Sequence, residues 1–518
     1  MMCLPDPILE IIFKYTYAPE PWPWSTASHL CKEATCMCTK KKETRYWWLY
    51  TQLVVGGCRK QLVVDWPDKQ ESDLEMWLHV FASYFFVQQA NNRSIQMKYT
   101  AINNTNICLK TAAAIRKVAS NGNLSGWDVS DVKDLHCTFR SATSFNGNLN
   151  DWDVSKVQSM YNTFSSATSF NGNLSGWDVS NVKDLPCTFR YATSFNGDLS
   201  SWGVSNVKEL YYTFDSAIEF NSDLNGWDVS NVNDLPCTFR YATSFNGNLS
   251  SWDVSKVQNL ENTFGSAIKF NSDLNGWDVS KVQSLEHTFG SAKKFNSDLS
   301  GWDVCKLESM YFTFHYATSF DDSLSGWDVS NVKDLPSIFR YASSFNGNLS
   351  SWDVSKVQNL ENTFGSAIKF NSDLSGWDVS KLESMFYTFS SAIKFNSDLS
   401  GWDVSNLGSM YYTFGSAKKF DSDLNGWDVA NVKDLPYTFR YAIKFDSNLS
   451  GWDVSKLESM YYTFYNATSF NGKLSGWDVS NVQDLSSTFG SAIKFNSDLN
   501  GWDVSKLESM YYTFYNAT

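Results

Sequence analysis

The chain has 518 residues, of which 16% are aromatic and 19% charged, with a formal net charge of -13. That acidity argues against a general nucleic-acid binder or a protein held on an anionic membrane surface. The charge is uneven: residues 1–120 carry 14 Lys/Arg and 10 Asp/Glu, residues 121–518 the other 28 and 45. This shift sets a domain boundary, with a head over 1–120 and a second region over 121–518.

In the head, Leu4-Pro5-Asp6 precedes Ile8, Leu9, Ile12 and Phe13, one helical turn apart in pairs. Pro19–Trp24 reads as a rigid turn. A second helix is expected over about 74–89, with Leu74, Trp77, Leu78, Phe81 and Phe85 on one face. The head is therefore predicted to be small and all-helical, covering the apolar edge of the second region. Cys31, Cys36 and Cys38 lack paired C-x-x-C spacing, so they read as ordinary thiols and no metal or cofactor is expected. The opening has no basic stretch followed by a clean apolar run, and the most apolar window, Leu74–Val87, is too short to span a bilayer. With scattered cysteines, this predicts an intracellular, reduced protein without membrane insertion.

From Trp127 to Trp502 a Trp recurs every 25 residues, sixteen times without insertion. A fixed period of this length predicts stacked units. In one unit, Leu124, Trp127 and Val129 read as a short strand. Val132, Leu135, Phe139 and Ala142 follow at spacings of three, four and three, the stripe of a short helix, and Phe145 closes the turn. Ser455-Lys456-Leu457-Glu458 has the form of a capping box at that helix start. The predicted fold is α/β: a leucine-rich-repeat-like solenoid of short parallel strands and short helical segments. Its core is Leu124, Trp127, Val129, Val132, Leu135, Phe139, Ala142, Phe145 and their counterparts. The last unit stops at Thr518 without a polar capping repeat, which predicts end-to-end self-association through residues 494–518.

Three outward columns vary or stand out. Asp128 recurs in every unit except at Gly203; each carboxylate either accepts local backbone and Ser hydrogen bonds or joins a cation-binding ladder. Lys269 occurs with Asp273, Lys369 with Asp373 and Lys394 with Asp398, which suggests local charge compensation. At the outer edge of the helical segment lie Arg190-Tyr191, Arg240-Tyr241, Arg340-Tyr341 and Arg440-Tyr441, with Tyr461, Tyr462 and Tyr465 further along. Arg and Tyr are favoured where a surface binds protein, and they also stack between units. The five His do not recur in phase, and no phosphate-binding glycine loop or zinc-protease motif occurs, so catalysis is not expected.

Two resemblances add to this reading. The wording FNSDLNGWDVSKVQSLEHTFGSA, from Phe270, resembles the BspA-like leucine-rich repeats, also called the DUF285 or Mycoplasma lipoprotein-type repeat, over residues 121–518. That resemblance implies binding or adhesion without catalysis. The opening LPDPILEIIFKY resembles the first helix of an F-box, with Leu4, Pro5, Ile8, Leu9, Ile12 and Phe13 on the motif and residues 4–48 in its span. It implies docking of a Skp-type adaptor. Together they suggest a ubiquitin-ligase substrate adaptor that presents a protein on its repeats; a surface adhesion protein or a structural rod is the alternative.

Overall fold

The computed structural model describes residues 51–55, 58–62, 124 and 126–517, and the chain falls into two compact units, Met1–Thr100 and Ala101–Thr518. In the first, strands β1 (Thr51–Val55) and β2 (Cys58–Leu62) pair antiparallel, Thr51 with Leu62 and Val55 with Cys58. Two residues, Gly56-Gly57, join them, a dipeptide suited to a two-residue hairpin loop. The expected all-helical head is thus corrected: its described residues form a hairpin, which the Gly-Gly between TQLVV and CRKQL signals. Leu4, Pro5, Ile8, Leu9, Ile12, Phe13, the cysteine cluster and the expected helix over 74–89 lie outside the described residues.

In the second unit each 25-residue phrase makes one coil, numbered here from the coil of Trp127, and the coils stack in register. Phe139, Phe164 and Phe189 lie face to face at ring separations of 5.1 and 5.5 Å. Trp152, Trp177 and Trp202 do the same at 6.3 and 6.4 Å. Leu124, Val129, Leu135, Phe139, Ala142 and Phe145 are buried, and Trp127 and Val132 pack against them partly buried. Stacking supplies this burial. Phe489 lies between two coils and is 0% exposed, whereas Phe514, with one described neighbour, is 46% exposed.

The buried polar groups are matched as regularly, with Thr138 Oγ1 and Arg440 Nε the exceptions among the described side chains. The Trp177 indole N–H donates to the Leu149 carbonyl at 2.8 Å, and the Trp277 indole to Leu249 at 3.0 Å, each 28 residues back. The buried Thr163 hydroxyl lies 2.7 Å from the Met160 carbonyl of its own coil and 3.1 Å from Leu135 of the preceding one. A polar ladder runs outside: the Asn171 N–H donates to Asn146 Oδ1 at 2.8 Å, and Asn196 to Asn171 at 2.8 Å. Such interlocking leaves few orphaned backbone groups in a chain with little regular secondary structure.

The expected α/β class does not hold. Among the described residues there is no helix, and the second unit has no extended strand, only isolated parallel bridges such as Asp134 with Ser159 and Ser159 with Asp184. The bridges also fall inside the segment predicted to be helical, while Leu124 to Trp127, predicted as strand, is a turn closed by Trp127 N–H to Leu124 O at 3.0 Å.

The physical reason is the repeat distance. An α-helix is about 10 Å wide, and coils whose Phe rings repeat every 5.1–5.8 Å have no room for one each. The three-four-three spacing comes instead from linked turns, Leu135–Thr138, Phe139–Ala142 and Ala142–Phe145. The intervening N–H groups of Cys137, Phe139 and Ser141 point to carbonyls of the next coil. Cys137 and Ser141 both have φ of 57°, a conformation that stops an α-helix, and the corresponding two residues of every coil share it. The capping-box residues serve the same scheme: the Ser455 N–H goes to Asp453 Oδ1, and the Glu458 N–H to Lys433 O of the preceding coil.

The two wordings NG and NS also differ by an inter-coil bond. Ser272 and Ser297 accept the Leu249 and Leu274 N–H groups at 3.3 Å, and Ser397 accepts that of Leu374 at 2.8 Å. The Lys and Asp residues expected to compensate one another form no direct ion pair among the described residues. Among the described residues the ion pairs are Lys156–Asp131, Arg190–Asp215 and Arg240–Asp215. Asp273 and Asp373 cap local turns through the Asn275 and Ser375 N–H groups.

Candidate protein-binding surface

The linked turns present four side chains per coil on one strip: the residues 9, 10, 13 and 14 after each Trp. In the first coil these are the exposed His136 and Ser141, the half-buried Arg140 and the buried Cys137, interleaved with the core residues Leu135, Thr138, Phe139 and Ala142. Inward columns barely change from coil to coil. Strip columns change in size, charge and polarity, and all the Arg and Tyr singled out from sequence lie on them.

Arg190 and Arg240 come together on Asp215 of the coil between them. Arg190 Nε lies 3.0 Å from Asp215 Oδ2. Arg240 Nε lies 3.0 Å from Oδ1, and its Nη2 3.1 Å from Oδ2. Asp215 is fully buried, and both guanidinium groups lie over the Tyr212 ring, at 4.7 and 5.3 Å. Burial alone would lower both Arg pKa values; the hydrogen bonds and charge of Asp215 outweigh it and raise them. Tyr191 and Tyr241 stand out to solvent, 41% and 50% exposed, beside their arginines at 4.9 and 5.5 Å. Asp215 and Tyr212 escaped the sequence reading, although Arg190, Asp215 and Arg240 follow one another at the 25-residue period.

The other two arginines have no carboxylate within ion-pair distance among the described residues. Arg340 lies over Tyr341 at 4.9 Å, and Tyr341 stacks on Tyr316 at 4.2 Å. Arg440 sits among Tyr437, Tyr441, Tyr462 and Tyr465 at 4.8–6.0 Å, and its Nη1 donates to the Tyr412 hydroxyl at 2.9 Å. Tyr387, Tyr412, Tyr437 and Tyr462 form a half-buried ring ladder at 5.1–5.4 Å. Tyr461 packs edge-on against Tyr437 at 5.2 Å, and Tyr465 against Tyr441 at 5.7 Å. Gly415 makes room for this ladder, since a Cβ there would lie 2.2 Å from Cδ1 of the Tyr412 ring. Elsewhere the strip is low: Gly265-Ser266 and Gly290-Ser291 in adjacent coils, and Gly365-Ser366.

The Asp column lies apart from this strip, and its carboxylates cap their own turns. Asp153 Oδ1 accepts the Ser155 N–H at 3.0 Å and the Ser155 hydroxyl at 2.6 Å, and Asp178, Asp253 and Asp278 take the corresponding N–H groups. The Ser hydroxyl and N–H hold these carboxyl pKa values below the usual range. A depressed folded-state pKa contributes stability that is present above the unfolded value, ~3.9, and lost as pH falls through the folded value. Asp184, Asp234, Asp421 and Asp434 act oppositely: burial raises them, so their contribution is lost as pH rises through their folded pKa. We expect the more numerous depressed group to dominate, with stability falling on acidification below ~pH 4. The double change Asp253→Asn and Asp278→Asn keeps an acceptor for each turn at any pH. Urea titrations at pH 7 and pH 3 are expected to show a smaller acid loss than in the unchanged protein; an equal loss would refute the assignment.

Among the described residues no group of three or more His, Cys, Asp or Glu is placed to hold a metal ion, and no helix is long and apolar enough to cross a membrane. No curated protein matches the chain. The sequence pattern of one family, described as "Mycoplasma protein of unknown function, DUF285", matches residues 109–227, 208–327, 308–427 and 409–518. These stretches overlap end to end and take in every stacked coil, and on that ground the chain belongs to the DUF285 family.

Proposed function

We propose that this repeat scaffold binds another protein through the Arg/Tyr strip. One observation carries the reading: along one strip, buried in some coils and exposed in others, the side chains run from Gly and Ser to Arg and Tyr, over a core whose columns hardly change. A strip serving only as packing would need no such variation. Tyr and Arg give contact area and hydrogen bonding at low entropic cost, and Asp215 and the ring ladder already hold them in place, so little ordering remains to be lost on binding.

The test is capture from a native lysate with the full chain, compared with Tyr461→Ser combined with Tyr465→Ser. Ser already stands at the place of Tyr461 in coil 15 and at that of Tyr465 in coil 11, so the fold has a precedent for both. Loss of a specific captured protein with unchanged thermal unfolding supports the reading; an identical captured set from both chains refutes it. The narrower role of ubiquitin-ligase substrate adaptor rests on the opening motif. Ile8→Asp with Leu9→Asp is expected to abolish co-purification of a Skp-type adaptor and leave strip-dependent capture intact.

A further inference from the structure

The strip carries a knob and a hole side by side. In the columns 13 and 14 after each Trp, coils 6 and 7 are low, with Gly265, Ser266, Gly290 and Ser291, while Glu261, Asn262, Glu286 and His287 fill the two other columns. Coils 8 and 9 are high, where Tyr316, 38% exposed, stacks on Tyr341. Knob and hole are each two coils wide and directly adjacent. A two-fold rotation about an axis between coils 7 and 8 puts coil 8 opposite coil 7 and coil 9 opposite coil 6, so each copy's knob enters the other's hole. Two-fold interfaces require this kind of self-complementarity.

The same rotation matches the flanks. Coil 5, with Arg240 and the half-exposed Tyr241, falls opposite coil 10, with Glu361, Gly365 and Ser366. Coil 9, whose Arg340 has no carboxylate partner within its own chain's described residues, falls opposite coil 6, where Arg340 meets the small Gly265 and the carboxylate of that coil's strip is Glu261. Neighbouring registers fail on charge and bulk. An axis half a coil earlier, through coil 7, sets Arg340 against Arg240. Half a coil later, through coil 8, it sets Tyr316 against itself and Glu361 against Glu261. Like charges face to face disfavour both.

We propose that the strip pairs with the strip of a second copy of this chain, antiparallel, about an axis between coils 7 and 8. The inference rests on reading the strip as a protein-binding surface and names one occupant of its central part. Across six coils at ~4.8 Å each, 19 of the 24 strip residues reach the surface, at the lower end of what a stable interface uses.

Sedimentation equilibrium of the full chain up to about 100 µM tests it, since a dimer dissociating in that range is readily resolved. The unchanged chain is expected to form a closed dimer. Ser266→Tyr with Ser291→Tyr fills the hole with the residue that the same column holds at Tyr241 and Tyr316, so the fold accommodates it; this variant is expected to be monomeric. Ser491→Tyr, the same change far from the axis, should leave the dimer intact. Glu261→Arg should weaken it by about tenfold or more, and adding Arg340→Glu should restore it. A monomer at the highest concentration, an open-ended series of larger species, or a dimer indifferent to the filled hole would overturn the pairing. None of these results depends on capture by Tyr461 and Tyr465, so the self-pairing can fail while the protein-binding reading stands.

Discussion

Replacing Trp277 with Ala is expected to be the most damaging single substitution in the stack, at about 3–5 kcal/mol. The indole is 2% exposed and lies between Trp252 at 6.3 Å and Trp302 at 6.4 Å, with Phe264 tilted against it at 6.1 Å. Truncation opens a cavity against two neighbouring coils at once, which cannot close in on it without leaving the register of their own ladders. The Leu249 carbonyl is not orphaned, because it also accepts the Trp252 N–H at 3.1 Å, so the cost is one of packing. Since each coil contacts only its neighbours, the weakened seventh coil should uncouple the coils before it from those after it. Urea unfolding is expected to change from one transition to two. Trp502→Ala is the internal comparison: that ring is only partly buried and stacks on Trp477 alone, at 6.5 Å, so its loss should cost much less. Equal costs at Trp277 and Trp502 would contradict the account of the core as shared between coils.

The period, the core columns and the outward columns were legible because stacking at a fixed repeat forces like residues onto like positions. Trp127 and Phe139 announce themselves through sixteen recurrences. The local conformation was not legible, because apolar spacings of three and four arise equally from an α-helix and from linked turns closed over three residues. What separates the two is the left-handed conformation at Cys137 and Ser141, and Cys, Ser and Tyr in those columns give no such sign. Asn162, Asn262 and Asn362 stand in the first of them, and Asn466 and Asn516 in the second. Asn tolerates positive φ, so these copies held the available hint. Pro186 held another. Its column needs no N–H in the inter-coil ladder, since Glu261 at the same place donates to its own Asn259 side chain.

Asp column and strip differ in the same respect. The WDVS wording exposed a local hydrogen bond, Asp to the Ser two residues on, which any short-range reading can weigh. Asp215 depends on two arginines 25 residues away in either direction, and only the register of the stack brings them to 3.0 Å. A contact of that kind becomes readable once the columns, not the neighbours in sequence, are compared.

The Asp215 cluster gives the second large effect. Asp215→Ser is expected to cost about 2–4 kcal/mol, below the full penalty for breaking a buried pair, because the Arg190 and Arg240 side chains remain 32% and 25% exposed and can turn partly to water. Removing all three charges should cost far less. Ser and Gly already occupy this column in other coils, at Ser165, Gly265 and Gly290, so Arg190→Ser, Asp215→Ser and Arg240→Ser together leave a surface that the fold uses elsewhere. The combined variant is therefore expected within about 1–2 kcal/mol of the unchanged protein, a strong departure from additivity. Urea unfolding of the unchanged chain, the three single variants and the triple variant measures it, with amide exchange in coils 3–5 locating the change. If the triple variant proved less stable than Asp215→Ser alone, the cluster would be a net source of stability. If it recovers as expected, the three charges contribute little net stability, and their effect is on the surface: they fix Arg190, Tyr191, Arg240 and Tyr241 in one geometry on the strip.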